Sequence, residues 1–440
     1  MSKLTRHKFG KLYQMSSGIS SKPDQAGHGA PFLSFSTVFN NYFLPAELEN
    51  RMDTSEKEQK IYSIKEGDIF LTRTSEVIDE LGMSSVALKN YPKATYSGFL
   101  KRLRPTQGNI TEKITYPKFM AFYLRSPLFR KTMTNNAVLT LRASLNEEIF
   151  SYLDLLLTKY EDQVKAGDFL YLLSQKIELN NRINAELEAM AKTLYYYWFV
   201  QFDFPDQNGK PYKSSGGKMV YNETLKREIP AGWKYGPLSN WIACDKTGDW
   251  GKDSEEGNYT LQVNCVRGTD INGINGAGVI AAPTRFILEK NGHKILSPFD
   301  FVIEISGGSP TQSTGRMAFF LPETLDRFMR PAVCSNFCKA ISLKDNIYFF
   351  NFAYEWSAIY DNGILFGWEG KTSGIKNLLF DAFVSKHSVC RPPQELAQKF
   401  FDFVSPLQIK KQKQLKENDE LVNLRDWLLP MLMNGQVTVA

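Results

Sequence analysis

Two segments of this 440-residue chain carry one helical signature, and that repetition limits the folds open to it. The first runs Asn184-Ala-Glu186-Leu187-Glu-Ala-Met190-Ala-Lys-Thr-Leu194. The second, Asn418-Asp-Glu420-Leu421-Val-Asn-Leu424-Arg-Asp-Trp-Leu428, starts 234 residues later (418 − 184). Asn, Glu, Leu, Met or Leu, and Leu recur at matching offsets, each time after a long mixed region. A globule–helix–globule–helix plan follows, with two similar heads and two matching rods.

From about Gln163 to Val200 the apolar spacing predicts one helix. Leu170, Ile177, Asn184, Ala191 and Trp198 recur every seven residues. Leu173, Asn180, Leu187 and Leu194 form the companion row, so the helix has a coiled-coil seam. At 1.5 Å per residue it would be ~57 Å long. The counterpart runs from about Gln394 to Leu429. Pro406 should either kink it or begin a fresh helix with Ser405 as N-cap. Asn434-Gly435 supplies a stop. Two ordinary amphipathic helices on separate cores are the plainer alternative. Asn180, Asn184 and Asn418 speak against it, because seam Asn costs stability and fixes register and partner.

The globules echo each other too. Ile61-Tyr-Ser-Ile64, the turn Lys65-Glu66-Gly67-Asp68 and the strand Ile69–Arg73 are matched by Ile295-Leu-Ser-Pro298-Phe-Asp300 and the strand Phe301–Ile305. Ala94-Thr95-Tyr96-Ser97-Gly98-Phe99-Leu100-Lys101 is paralleled by Ala332-Val333-Cys334-Ser335-Asn336-Phe337-Cys338-Lys339. Each places a small polar pair before Phe, then Lys two residues on. Strand-like runs alternate with turns, and residues 118–133 look helical. The fold class is mixed α/β (α+β): two similar globules separated by two long antiparallel coiled-coil helices. Residues 203–233, rich in Pro, Gly and Ser, read as a non-helical linker.

Charge is uneven. Lys plus Arg minus Asp plus Glu gives 21 − 14 = +7 over 1–150, 5 − 8 = −3 over 151–205, 21 − 20 = +1 over 206–395 and 6 − 5 = +1 over 396–440. A basic first head fits a polyanionic partner. No run of 18 apolar residues suggests a membrane span, and the basic N-terminus lacks a signal-peptide core, so cytoplasmic residence is expected. Five cysteines, all in the second half, argue against a disulfide framework. Cys334-x3-Cys338 could open a zinc site, but no second ligand pair follows, and buried free thiols are expected instead.

Catalytic signatures are wanting. Ser214-Ser-Gly-Gly217-Lys218-Met219 lacks the earlier Gly and the following Ser/Thr of a phosphate loop; Tyr212 and Met219 stand there. Gly307-Gly308-Ser309-Pro310 to Gly315-Arg316 also has the wrong spacing. No Asn/Asp-Pro-Pro-Tyr tetrapeptide of the amino-methyltransferase type occurs, and Arg391-Pro392-Pro393-Gln394 reads as a helix start. Pro23-Asp24 with Glu58-Gln59-Lys60 matches a nuclease pattern only loosely. With four His in the chain, acid–base chemistry has few candidates. A binding protein, not an enzyme, is expected, with no catalytic residues, bound metal or cofactor.

The stretch Leu173-Ser-Gln-Lys-Ile177-Glu-Leu-Asn180-Asn-Arg182-Ile-Asn184 through Tyr197-Trp198-Phe199-Val200-Gln201-Phe202-Asp203-Phe204-Pro205, continuing Gly209-Lys-Pro-Tyr212-Lys-Ser-Ser-Gly-Gly217-Lys-Met219, resembles the central conserved region of the specificity subunits of type I restriction–modification systems. Leu424-Arg-Asp-Trp427-Leu-Leu-Pro430-Met-Leu-Met-Asn434-Gly435 resembles their C-terminal conserved region. In the globules the likeness is confined to strands such as Gly67–Arg73. The resemblance implies target-recognition domains over 1–155 and 234–393, conserved spacer helices over 156–202 and 394–440, and the linker 203–233. It implies that each head reads half of a split double-stranded DNA target, the heads facing one duplex about a helical turn apart, ~34–36 Å. It further implies docking of two methyltransferase subunits on the helices and association with restriction/translocase subunits. S-adenosylmethionine, ATP and Mg would be bound by those partners.

On that reading the DNA contacts of the first head are Arg73, Thr74, Ser75, Ser97, Lys101, Arg102 and Arg104. Those of the second are Gly307, Gly308, Ser309, Thr311, Gln312, Arg316, Ser335, Asn336 and Lys339. Arg and Gln can pair bidentately with guanine and adenine edges, while Lys and Ser mostly grip phosphate. The alternative for Lys101 and Arg104 is a solvated strand face. Ile177, Asn180, Asn184, Leu187, Leu194, Trp198, Asn418, Leu421 and Leu428 would form the spacer and subunit interface. Two competing functions are a restriction enzyme or methylase carrying its own chemistry, and a coiled-coil scaffold that binds only proteins.

Overall fold

The computed structural model describes residues 3–20, 23–75, 81–136, 138–139, 143–144, 150, 153–307, 309, 311–372 and 374–439. The chain forms two compact units. Unit 1 is Met1–Ile177 with Glu420–Ala440, and unit 2 is Glu178–Asp419.

The described strands of unit 1 are β1 (Thr5–Lys8), β2 (Tyr13–Ser17), β3 (Ala26–Leu33), β4 (Arg51–Met52), β5 (Ile69–Thr72) and β6 (Thr74–Ser75). They continue with β7 (Ser84–Val86), β8 (Thr95–Tyr96), β9 (Leu100–Pro105), β10 (Val138–Leu139), β11 (Ala143–Ser144) and β12 (Asp154–Leu157). The central sheet is antiparallel in the order β2-β9-β5-β7. Beside it lie β4-β3-β8, whose β3–β8 pair is parallel, then β10-β11-β6 and β1-β12. The stretch expected to be helical is two helices, α1 (Pro117–Tyr123) and α2 (Pro127–Asn136). Pro117 opens α1 at a position where its missing N–H costs nothing. Helix α3 (Tyr160–Tyr195) begins in unit 1 with Glu161 and Asp162 in its first turn, which complements the helix dipole. Gln163 anchors its start by accepting from Tyr116 N–H and donating to the Ile114 and Thr158 carbonyls. Phe119, Phe122, Leu170 and Leu173 share one core with Leu429 and Leu432.

Unit 2 repeats the plan. Its strands are β13 (Met219–Asn222), β14 (Arg227–Pro230), β15 (Lys234–Pro237), β16 (Ile242–Thr247), β17 (Tyr259–Val266), β18 (Thr284–Leu288) and β19 (Phe301–Glu304). The rest are β20 (Ser306–Gly307), β21 (Met317–Phe319), β22 (Ala332–Cys334), β23 (Cys338–Leu343), β24 (Glu369–Thr372), β25 (Ile375–Leu378) and β26 (Ser388–Arg391). The central sheet runs β16-β23-β19-β21, flanked by β18-β17-β22 with a parallel β17–β22 pair, by β20-β25-β24 and by β15-β26. Each of these four sheets therefore has its counterpart in unit 1, strand for strand. The register agrees as well: Leu71 faces Lys101, and Ile303 faces Lys339. The turn before the central strand is shared, with Asp68 and Asp300 each accepting an N–H three residues back, from Lys65 and Ser297. Gly67 takes φ +84° there, and in unit 2 Phe299 adopts φ +70°.

The segment 203–233 is part of the second unit's packing and not a loose connection. Strands β13 and β14 form a hairpin. Phe202, Phe204, Ile229 and Trp233 join the core that holds Ala191, Tyr195, Phe199 and helix α4 (Phe349–Asp361). Phe204 stacks on Trp233 at 5.2 Å and on Tyr212 at 4.7 Å.

The C-terminal helix α5 (Gln394–Met433) runs through Pro406 as one helix, so the fresh start with a Ser405 cap does not form. Pro406 removes one backbone bond, and both it and Asp402 are exposed, which leaves the freed Asp402 carbonyl to water. Val404 and Gln408, both wholly buried, hold the helix on either side. Gly435 ends the segment with φ +69°.

Within unit 2 the two helices pair antiparallel: Asn180 meets Asn418, and further along α3 Glu188 meets Gln408 and Lys411. Asn180 Nδ2 donates to Asn418 Oδ1 at 2.9 Å and Glu417 Oε2 at 2.8 Å, and Asn418 Nδ2 donates to Asn181 Oδ1 at 2.8 Å. The seam expected from sequence is buried at Asn184 and Leu187, whereas Ile177 is half-buried. Toward the C-terminal end of α3 it shifts by one residue. Tyr195 and Phe199 are buried, while Leu194 and Trp198 are half-buried at the edge of the same core. A 3.6-residue helix drifts against a strict seven-residue repeat, and here a π turn over Tyr196–Val200 follows. On α5, Leu421 and Leu428 are half-buried beside the buried Leu429 and Leu432.

Candidate nucleic-acid interface

In each unit one end of the central sheet gathers three chain crossings. The central strand passes into a short strand (β5 to β6, β19 to β20), the turn that links β8 to β9 or β22 to β23 lies against that step, and the chain leaving β2 or β16 crosses beside it. The hydrogen bonds match. Arg73 N–H donates to Phe99 O and Ile305 N–H to Phe337 O, both at 2.9 Å. Ser97 N–H donates to Leu33 O at 3.1 Å, and Ser335 N–H to Val266 O at 2.8 Å. Gly18 and Gly248 follow β2 and β16. A Cβ at either would lie 2.2 Å from Ser97 O or 2.0 Å from Ser335 O, so only glycine fits this crossing as built.

In unit 1 Arg73 is exposed at the rim, and Thr74 and Ser75 form β6, paired with Ala143 and Ser144. The remaining sequence-predicted residues are tied inward. Ser97 is buried and its Oγ accepts Phe99 N–H. Lys101 is buried, with Nζ donating to Ser17 Oγ at 2.8 Å. Arg102 donates to the Ile61 and Ser63 carbonyls and lies over the Tyr96 ring; burial pulls its pKa down. Arg104 grips Asp68 through Nε–Oδ1 at 2.7 Å and Nη2–Oδ2 at 2.6 Å, and the bond to Asp68 raises its pKa. Neither a solvated strand face nor a free basic patch describes these three cations.

In unit 2 the predicted residues converge on a cavity of about 390 Å³ whose walls include Gly307, Ser309, Gln312, Arg316 and Ser335. Thr311 is exposed beside it, its hydroxyl 3.5 Å from Ser309 Oγ. Gly308 lies outside the described residues. Arg316 is bidentate on Glu304, Nε–Oε2 at 2.9 Å and Nη2–Oε1 at 2.7 Å, which holds its pKa up. Ser335 is buried and its Oγ faces Cys338 Sγ, while Asn336 is exposed at the turn. Lys339 is set apart from the cavity wall. Burial opposes its charge, but Asp245 at 2.7 Å and Asp381 at 3.0 Å raise its pKa on balance.

Several cavity residues were not foreseen from sequence. Trp250, Glu304 and Phe337 help form the wall, as does Arg267, which is held by Asp270. The bond to Asp270 raises the Arg267 pKa. Only Phe337 carried a signal, through the repeated Ser-x-Phe-x-Lys pattern it shares with Phe99. The cavity thus offers two aromatics, two neutralised guanidinium–carboxylate pairs and an amide, the inventory of base-edge recognition. Cys265, Cys334 and Cys338 are buried thiols whose pKa burial pushes up to about 12. Among the described residues no group of three or more His, Cys, Asp or Glu could hold a metal ion. Nor, among them, is any helix long and apolar enough to cross a membrane.

Residues 14–189 match the family model of the type I restriction modification DNA specificity domain. The chain is similar in sequence to the specificity subunits of type I restriction enzymes. It is 24% identical over 397 residues to the type I restriction enzyme MjaIX specificity subunit of Methanocaldococcus jannaschii, covering 89% of this chain and 82% of that one. To the HindI specificity subunit of Haemophilus influenzae it is 30% identical over 176 residues, 39% and 36% of the two chains. The crystal structure of the type I restriction–modification S subunit from M. genitalium shares the fold across 98% of this chain and 96% of that one, with a TM-score of 0.59 at 14% identity. The matched region 14–189 spans the central sheet of unit 1, and unit 2 carries the same sheet a second time.

Proposed function

We propose that this chain is the DNA sequence-recognition subunit of a type I restriction–modification complex in the cytoplasm, each unit reading one part of a split double-stranded target. The observation that carries this is the strand-for-strand repetition of four sheets, each copy ending in the same three-chain crossing. Two copies of one scaffold with different side chains at that end suit a target of two unlike halves. The paired helices would act as the spacer between the readers.

The helices also offer a surface for partners. Leu172 and Leu179, then Met190 and Tyr197, are apolar pairs seven residues apart and exposed along α3 and the π turn that follows it. Phe403, Leu424 and Trp427 are exposed on α5. These rows lie off the buried seam and suit the helical segments of two methyltransferase subunits, with restriction/translocase subunits joining the same complex. S-adenosylmethionine, ATP and Mg are assigned to those partners, and this chain supplies no chemistry of its own.

The test is binding by the chain assembled with its methyltransferase subunits to a library of randomised duplexes. Recovery of two short motifs separated by a fixed unread gap is expected, with affinity falling as salt rises. Equal affinity for every sequence would refute the role. Turnover by the isolated chain with Mg and S-adenosylmethionine would replace it with an enzymatic one.

A further inference from the structure

Phe99 and Phe337 occupy one register position in two units whose neighbouring residues differ. Each sits in the turn leading into β9 or β23, and each carbonyl receives the N–H of the residue leaving the adjacent central strand, Arg73 or Ile305. Their side chains are 63% and 53% exposed. A single exposed Phe needs no explanation. The same exposure at the same position of both copies is a different matter, because the positions around it differ: Asn336 stands in the second unit where Gly98 stands in the first, Glu304 where Thr72 stands, and Ile305 where Arg73 stands. A ring left more than half exposed gains little of the stabilisation that burial gives. Its place in both units therefore points outward. Phe337 also forms part of the wall of the cavity that holds Gln312, Arg316 and Ser335.

We infer that Phe99 and Phe337 are matched aromatic contacts to bases, each pressing its ring on one half of the split duplex while the polar groups beside it set which bases are accepted. Aromatic rings meet thymine methyls in the major groove and can also wedge between base steps. Both are contacts to bases, not phosphates. The inference rests on the proposed DNA-recognition role.

The experiment uses the full complex with its methyltransferase subunits and the duplex selected from the library. Phe99→Ala and Phe337→Ala should each weaken binding to the cognate duplex roughly 10-fold. The slope of log affinity against log salt should stay at the wild-type value, because no phosphate contact is lost. Each variant should lose discrimination at one half of the target only, and Phe→Tyr at either position should restore most of the affinity. Urea midpoints should not move, since both rings are exposed. Wild-type affinity in both alanine variants would overturn the inference and leave the DNA role intact. A shallower salt slope would place the rings on the backbone, and loss of methyltransferase co-elution at unchanged DNA affinity would place them on a protein; either overturns it. A wild-type complex with no sequence preference would instead remove the role on which the inference stands.

Discussion

Replacing Arg316 with alanine should first destabilise unit 2, and any change in DNA specificity should follow from that. The guanidinium is bidentate on Glu304, and the two side chains are 16% and 8% exposed. Removing Arg316 leaves the Glu304 carboxylate buried without its partner. Its Oε1 already lies against Gly268, so close that a Cβ added there would come within 2.4 Å of it. Breaking a buried ion pair from one side costs ~3–5 kcal/mol. The cavity beside the pair admits water to the stranded carboxylate, so the lower end, about 3 kcal/mol, is expected here. Replacing both members, as Glu304→Leu with Arg316→Met, should recover most of that, because an apolar pair of similar volume strands no charge. Tryptophan fluorescence during urea unfolding is a suitable assay. Of the seven tryptophans only Trp427 lies outside residues 178–419, so the signal reports unit 2. An R316A variant with an unmoved urea midpoint but relaxed discrimination would refute this reasoning. It would mean that the pair opens on DNA and that Arg316 reads a base, the outcome expected from sequence at ~1–3 kcal/mol.

Two other perturbations have definite signs. Asn180→Ala breaks the bonds to Asn418 and Glu417 and should cost about 1–2 kcal/mol, whereas Asn180→Leu with Asn418→Leu should be nearly neutral, because paired removal strands no buried amide. A double-leucine variant as unstable as the single alanine, by the same fluorescence transition, would contradict this account. Burial beside Phe383 holds the His387 pKa below its ordinary 6.5, so the unfolded chain binds the proton more readily. Unit 2 should therefore lose stability as pH falls below about 6.5, and His387→Phe should remove that part of the loss. A constant gap between wild type and variant from pH 7.5 to 5.5 would exclude the effect.

The long helices were legible because apolar period and length leave few alternatives. Their fine register was not, since the one-residue shift from Leu194 and Trp198 to Tyr195 and Phe199 comes from helical drift that a heptad count ignores. A fresh helix at Pro406 does not form for a similar reason: helix propensity is local, but Val404 and Gln408 hold the helix through tertiary packing. The duplication was visible in Ala94–Lys101 and Ala332–Lys339, which are indeed the same turn and strand. The cations Lys101, Arg102 and Arg104 looked like a DNA-facing row. Sequence could not place Asp68 against Arg104, nor the Ser63 carbonyl against both arginines, because those contacts join residues 36 to 41 positions apart.

The matched scaffold separates what builds a reading end from what chooses bases. Positions that are alike in both units, Gly18 with Gly248, Ser97 with Ser335 and Phe99 with Phe337, hold the crossing together or stand at its tip. Positions that differ surround them. Thr72 donates its N–H to Met83 O where Glu304 donates to Arg316 O, so the backbone is the same. Only the second copy, however, adds a buried carboxylate and its arginine. Ile19 and Asp249 occupy one step of the chain, each donating its N–H in the same way, to Tyr96 O and to Cys334 O, yet one is apolar and the other acidic. Two ends built on one backbone with unlike side chains cannot present the same pattern of donors, acceptors and apolar surface to a groove. Transplanting Glu304, Arg316 and Asp249 together to positions 72, 83 and 19 should therefore shift the first half of the selected motif toward the second. Arg316 or Glu304 moved alone should only destabilise unit 1, because each requires its partner's charge. A triple variant that folds and still selects the original first half would show that the choice of bases is made elsewhere in the unit.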